Sequence, residues 1–195
     1  MMKTALISWD YTTQGYPIRV LATILRKHGH GVKIIFPISY LEEKSNPYEP
    51  DAVNRKVKGI LGLVSDCDVI GLSFLSMHMP MARVLAGAIK KRYPDKTIIS
   101  GGIHASVRPK EALEFSDYVC IGEGERSLVS FLDELGRGGG AEDVRGISDK
   151  KSIEDMKSSS ETVKELDGIP IPDFFFDSTY IYDAYSDDWI TQDPS

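Results

Sequence analysis

Cysteine is nearly absent from the chain: Cys67 and Cys120 are the only two in 195 residues. Both sit inside or beside apolar runs, which fits buried thiols better than a disulfide or a metal pair. A cationic excess is missing as well. Lys and Arg number 23 against 29 Asp and Glu, a formal net charge of −6. That balance argues against non-specific nucleic-acid binding, which needs a basic face to displace counterions from phosphates. No apolar run approaches the roughly 20 residues that span a bilayer. The Met1-Met2-Lys3 start leads straight into a buried-type strand with no small-residue cleavage site, unlike a signal peptide. Together these absences predict a cytoplasmic chain with one ordinary core, no membrane span and no nucleic-acid partner.

What is present is alternation. Short β-branched runs at 4–8, 32–36, 69–74, 97–100 and 118–121 read as strands. Between them, 17–28, a stretch opening at Asp51, 80–93, 109–115 and 127–135 carry apolar residues at helical spacing, such as Val20, Leu21, Ile24 and Leu25 in the first. Pro17 suits a first helical turn. The polar stretch 39–50 reads as a loop. Strand–helix alternation of this kind predicts an α/β fold, a doubly wound, flavodoxin-like (Rossmann-type) parallel sheet of five strands in the order 2-1-3-4-5.

Residues 1–147 form the expected α/β domain, and 148–195 an irregular linker and tail. Gly138-Gly139-Gly140 breaks the pattern, and 148–165 is charged and serine-rich with little to bury. Two alternating prolines then enforce an extended path through Leu166-Asp167-Gly168-Ile169-Pro170-Ile171-Pro172-Asp173. The last stretch interleaves acids with Phe174, Phe175, Phe176, Tyr180, Tyr182, Tyr185 and Trp189. It is expected to be disordered or to pack against a neighbour, as a piece of something longer would.

Chemistry is concentrated at the strand ends: Ser73-Phe74-Leu75-Ser76, Ser100-Gly101-Gly102-Ile103-His104 and Ile121-Gly122-Glu123-Gly124-Glu125. In a parallel sheet such points meet along the carboxyl edge, where ligands bind. These motifs resemble those of cobalamin-binding domains, which carry D-x-H-x-x-G after strand one, S-x-L after strand three and G-G after strand four. Here Asp10-Tyr11-Thr12-Thr13-Gln14-Gly15 keeps the frame, but Thr12 stands where the histidine belongs. A threonine hydroxyl is a poor substitute for imidazole as a cobalt ligand, so the resemblance implies no protein imidazole below the metal. Nitrogen superhyperfine splitting from the protein in the cobalt(II) EPR spectrum would contradict that.

The runs Gly101-Gly102-Ile103-His104-Ala105 and Ile121-Gly122-Glu123-Gly124-Glu125, with the Ile-Pro-Ile-Pro linker, resemble the amino-terminal domain of cobalamin-type radical SAM enzymes over about residues 3–173. The resemblance implies a cobalamin site built from Asp10, Tyr11, Thr12, Gln14, Gly15, Ser73, Phe74, Leu75, Ser76, Met77, Gly101, Gly102, His104, Ala105, Gly122, Glu123 and Gly124. A serine hydroxyl can meet the nitrogen of the displaced benzimidazole tail, and paired glycines leave room for that tail. It also implies a partner, a radical SAM domain in the same parent chain, holding a [4Fe-4S] cluster and S-adenosylmethionine and transferring a methyl group to an unactivated carbon. The C-x-x-x-C-x-x-C spacing that would hold the cluster is not in this sequence.

Other readings stay open. His104 either bonds a loop carbonyl or meets the ligand. Met77, His78, Met79 and Met81 either line the corrin face or pack beneath the sheet. His28 and His30 read as a solvated helix cap, and Glu123 and Glu125 as acids favoured by the following helix dipole. Gly122-x-Gly124-x-x-Ser127 nearly matches a dinucleotide fingerprint, but two glutamates inside it would repel a pyrophosphate. A response-regulator receiver shares the fold, yet strand three offers no phosphoryl-accepting aspartate. The competing function is a degenerate module of the same fold that binds no cobalamin and serves for docking or substrate recruitment.

Overall fold

β-Branched and aliphatic residues fill the five short strands that form the centre of the molecule. The computed structural model describes residues 1–9, 15–37, 49–142, 144–154, 168–175, 177–183 and 186–192. Strands β1 (Lys3–Ser8), β2 (Gly31–Phe36), β3 (Val69–Ser73), β4 (Thr97–Gly101) and β5 (Tyr118–Cys120) are all parallel. They run in the expected order 2-1-3-4-5 within a larger sheet. Both faces are apolar, as parallel strands covered on two sides require.

Helices α1 (Tyr16–Lys27) and α6 (Gly124–Gly136) cover one face, burying Ile18, Leu25, Phe131 and Leu132 with Leu6, Ile34, Val69 and Ile99. Helices α2 (Pro50–Leu63) and α3 (Met79–Arg92) cover the other, where Ile60, Leu85 and Ile89 pack with Ile7, Ile35, Ile70 and Leu72. Pro17, Pro50 and Pro80 all stand in first turns, where a missing N–H costs nothing. Two short helices, α4 (Gly102–Val107) and α5 (Pro109–Ala112), lie between β4 and β5. The first was not anticipated. Gly101-Gly102 reads as a turn, but Gly102, at φ +85°, opens a helix directly.

The carboxyl-terminal part departs from expectation, because among the described residues the sheet has eight strands. β6 (Ile147–Ser148) pairs antiparallel with β5. β7 (Thr179–Asp183) joins β2 in parallel, and β8 (Asp188–Thr191) folds back on it. The tail is therefore not irregular throughout: Thr179–Asp183 and Asp188–Thr191 extend the sheet of their own chain. Tertiary contacts hold the hairpin. The Trp189 indole occupies the space above Gly59 of α2, where even a Cβ would lie 1.9 Å from Nε1. Lys56 Nζ sits 4.7 Å from the centre of the Tyr182 ring, and Arg55 pairs with Asp187 at 2.7 Å.

Residues 168–175 lie along α1. Arg19, only 1 % exposed, donates to the Phe174 carbonyl (3.4 Å) and to Gln192 Oε1 (2.8 Å), with its guanidinium 5.6 Å from the Phe36 ring centre and 5.5 Å from that of Phe174. Burial lowers its pKa, an effect opposed by the Asp173 carboxylate. The Asp173 amide donates to Thr23 Oγ1 at 3.0 Å. The expected 39–50 loop, apart from its last two residues, and 155–165 lie outside the described residues.

One smaller expectation needs correction. His28 does cap, with Nδ1 2.9 Å from the Ile24 carbonyl. His30 does not: it is buried, its Nδ1 accepts from the Met2 amide (3.4 Å) and its Nε2 lies 3.4 Å from Asp133. Both cysteines are free and buried.

Candidate functional site

The register of the sheet assembles the site. Ser8 pairs with Ser73, and Ser73 with Gly101, so the last residues of β1, β3 and β4 form one row at the carboxyl edge. One pleat repeat below, Leu6, Gly71 and Ile99 form a second row on the same face. In this second row, Gly71 leaves a gap between two large aliphatic side chains. A Cβ at Gly71 would lie 2.9 Å from Leu6 Cδ2.

Above that gap runs a cleft of about 230 Å³ between α1 and α6. Leu6, Gly71 and Ile99 form its floor, Pro17, Ile18 and Leu21 one wall, and Gly124, Glu125 and Leu128 the other. Gly101, Gly102 and Gly122 stand at its top. An adjoining cavity of about 340 Å³ reaches the sheet edge between Ser8, Trp9, Phe74, Leu75 and Ile103 and shares Pro17, Ile18, Ser73 and Gly102 with the first. One apolar slot thus leads from the edge of the sheet into its interior. It suits a flat, largely apolar group with a few polar contacts at the mouth.

Glycine is required at one position and useful at the next. At Gly102 the backbone is left-handed, and a Cβ would meet Phe74 N at 3.0 Å, Phe74 O at 3.1 Å and Ser73 Oγ at 3.2 Å. Gly101 is extended, and a Cβ there would find only Cys120 Cβ, at 3.8 Å. The first is needed by the backbone, whereas the second keeps the slot open.

Hydrogen bonds stitch the strand ends together. The Trp9 amide donates to the Ser73 carbonyl (3.3 Å), that of Phe74 to Gly101 (3.4 Å) and that of His104 to Phe74 (3.4 Å). Ser106 of α4 bridges two glycine turns, donating to the Gly102 carbonyl at 3.0 Å and accepting from the Gly122 amide at 3.0 Å.

Of the expected residues, Ser73, Phe74, Leu75, Gly101, Gly102, Gly122, Glu123 and Gly124 line these two cavities, Gly15, Ser76, Met77, His104 and Ala105 line neither, and Asp10, Tyr11, Thr12 and Gln14 lie outside the described residues. Their positions differ in kind. Gly15 is buried, and a Cβ there would lie 2.7 Å from Phe36 Cε1. Ala105 is fully buried in the core. Leu75 and Met77 are exposed at the rim, while His78 and Met81 pack inward. Glu123 is the residue before α6 and forms no side-chain cap to that helix. His104 is 3 % exposed and bonds neither a carbonyl nor a free surface; its Nδ1 lies 3.0 Å from Ser76 Oγ.

The residues missed by sequence reading are those inside the slot: Gly71, Pro17, Ile18, Leu21, Ile99, Cys120 and Leu128. Only Gly71 carried a signal, a glycine in the middle of a strand, which marks close approach of another group. Burial, with Glu125 adding to it, pushes the Cys120 thiol up to about 12, so it is a neutral wall of the slot and not a nucleophile. Glu125 Oε2 is buried and meets no hydrogen-bond donor among the described residues. No three His, Cys, Asp or Glu side chains are grouped to hold a metal ion among those residues, and no described helix is long and apolar enough to cross a membrane.

A slot at the carboxyl edge of a 2-1-3-4-5 sheet, roofed by S-x-L and G-G turns, is the architecture of a B12-binding domain, and the family model of the B12 binding domain matches residues 2–132. The chain belongs to that family. Among curated proteins, it is 30 % identical over 70 residues to bacteriochlorophyllide d C-8(2)-methyltransferase of Chlorobaculum tepidum, a match covering 36 % of this chain and 15 % of that protein. Among solved structures, its fold matches the radical S-adenosylmethionine methyltransferase TsrM of Kitasatospora setae. One TsrM structure has tryptophan and an S-adenosylmethionine analogue bound (TM-score 0.58, 15 % identity, 75 % of this chain and 28 % of that one). The other has cobalamin and a [4Fe-4S] cluster bound (TM-score 0.58, 17 % identity, 75 % and 27 %). The chain therefore covers less than a third of the length of each of these relatives.

Proposed function

We propose that this chain is the cobalamin-holding module of a cobalamin-dependent radical SAM enzyme. The observation that carries the reading is the open, glycine-lined slot beneath Ser73 and Gly101, in the place where this family accommodates a nucleotide tail. A degenerate module would have lost that space to side chains. In this reading Gly71 and Gly101 make room for the tail and Pro17, Ile18, Leu21 and Leu128 exclude water from it. Ser73 offers a hydroxyl at the mouth, and the partnerless Glu125 Oε2 accepts from a ligand hydroxyl. When bound, cobalamin supplies a methyl group carried on cobalt; the [4Fe-4S] cluster and S-adenosylmethionine that would generate the substrate radical belong to a further domain.

One feature supports such a domain. Leu75, Met77, Ile103 and Val107 are exposed together at the carboxyl edge, where a covering surface would bury them. The same patch favours the second reading, docking without cobalamin. Titration of the 195-residue chain with hydroxocobalamin, followed by absorbance and calorimetry, separates the two. Micromolar or tighter binding, about −8 kcal/mol, is expected for the wild type and its loss for Gly101→Leu, whose side chain would fill the slot without backbone strain. No binding by the wild type, or equal binding by the variant, would overturn the cobalamin reading.

A further inference from the structure

At the rim of the upper cavity, next to Leu75 and Ile103, three side chains from three separate elements meet. Ser76 lies in a 3₁₀ turn after β3, His104 in α4 and Glu111 in α5. Ser76 Oγ is 3.0 Å from His104 Nδ1, and His104 Nε2 is 3.7 Å from Glu111 Oε2. The other carboxylate oxygen, Oε1, is held by Arg108 at 2.9 Å. The imidazole is buried at 3 % exposure, with its ring centre 5.5 Å from that of Phe74, so it cannot swing away. Ser76 itself is exposed.

The carboxylate decides the tautomer. Nε2 makes no hydrogen bond among the described residues, but a bare lone pair there, 3.7 Å from Glu111 Oε2, would be repelled, which favours the neutral tautomer with its proton on Nε2 and leaves Nδ1 as an acceptor. The Ser76 hydroxyl must then donate to Nδ1. Its lone pairs are left pointing outward, and a hydroxyl that would otherwise both donate and accept is reduced to an acceptor.

We propose that Ser76 is a specificity-determining contact, made an acceptor by His104 and Glu111, that reads a primary carboxamide on the rim of the bound corrin. The inference rests on the cobalamin reading and adds to it the chemical group recognised. An amide N–H satisfies Ser76, whereas a carboxylate at the same place offers no donor and meets lone pairs backed by the Glu111 charge. His104 and Glu111 act through Ser76 and are positioning residues.

The test compares hydroxocobalamin with its three monocarboxylic acid isomers, in each of which one propionamide has been hydrolysed, by calorimetric titration of the full chain. The wild type is expected to bind one isomer at least about tenfold more weakly than the parent compound, the size of a lost hydrogen bond to a charged group. Ser76→Ala, at an exposed position, should bring that one ratio towards unity and leave the other two unchanged. Glu111→Gln should lower the same ratio by freeing the tautomer. Equal binding of all three isomers by the wild type, or an unchanged ratio in Ser76→Ala, would overturn the contact. An unchanged ratio in Glu111→Gln would overturn the relay. Failure of hydroxocobalamin itself to bind the wild type would overturn the underlying reading, and it is seen in a separate titration from the isomer ratios.

Discussion

Adding one methyl group at Gly102 tests whether the strand-end geometry is as tight as described. In Gly102→Ala the new Cβ meets backbone, namely Phe74 N at 3.0 Å and Phe74 O at 3.1 Å, and the residue must hold φ at +85°. A non-glycine residue in a left-handed conformation costs about 1–3 kcal/mol. Relief is blocked because Phe74 is itself tied to Gly101 and His104 by backbone hydrogen bonds. A loss of about 2 kcal/mol at an m-value near 2 kcal/mol/M lowers the urea midpoint by about 1 M. Gly101→Ala is the matched control. There the backbone is extended and the nearest atom to a Cβ is 3.8 Å away, so a neutral change or a gain of about 0.4–1 kcal/mol follows from the stiffer unfolded chain. Equal midpoints for the two variants would refute the account of this turn.

Three further outcomes are expected. Replacing Arg19 by leucine removes the donors to Phe174 and Gln192, with a loss of about 2 kcal/mol and faster proteolysis within 168–175; unchanged cleavage would count against the clamp. Gly59→Ala displaces the Trp189 indole and should red-shift part of the tryptophan emission and speed hydrogen exchange in β8, whereas an unaltered spectrum would place the indole elsewhere. Burial raises the Cys120 thiol from about 9 to about 12 and the Cys67 thiol to about 11. The folded chain therefore keeps protons that the unfolded chain releases above pH 9, and stability falls with rising pH by up to about 1.4 kcal/mol per unit per thiol. Urea midpoints between pH 9 and 10.5 should fall less steeply in Cys120→Ala, and an identical slope would contradict the burial.

The central sheet was legible because its information is local. Each strand is a β-branched run closed by a turn, and each helix carries its apolar face at regular spacing. The edge motifs stood out only in combination, since serine or glycine at one strand end is more often an ordinary turn. The interior of the slot was not, because it is defined by an absent side chain at Gly71 and by neighbours on α1 and α6 whose convergence only the fold reveals. Arg19 was invisible in another way. An arginine on an amphipathic helix reads as a solvated charge, yet its partners include Phe174 and Gln192, far along the chain. The tail was misread although Thr179–Asp183 alternates as a strand should. Pairing with β2 is a long-range event, and the acids and aromatics around it pointed equally well to an unpartnered segment.

Helix α1 has two occupied sides: Pro17, Ile18 and Leu21 wall the slot, while Arg19 and Thr23 hold the segment around Asp173 and Phe174. The family match ends at residue 132, well before that segment. A chain trimmed at that border would keep the matched stretch of its family and still deprive the buried Arg19 guanidinium of its contacts to Phe174 and Gln192. It would also leave the open side of β2 ready to recruit a strand from another molecule. The contacts that close this fold thus run past residue 132, the end of the family match, as far as Gln192.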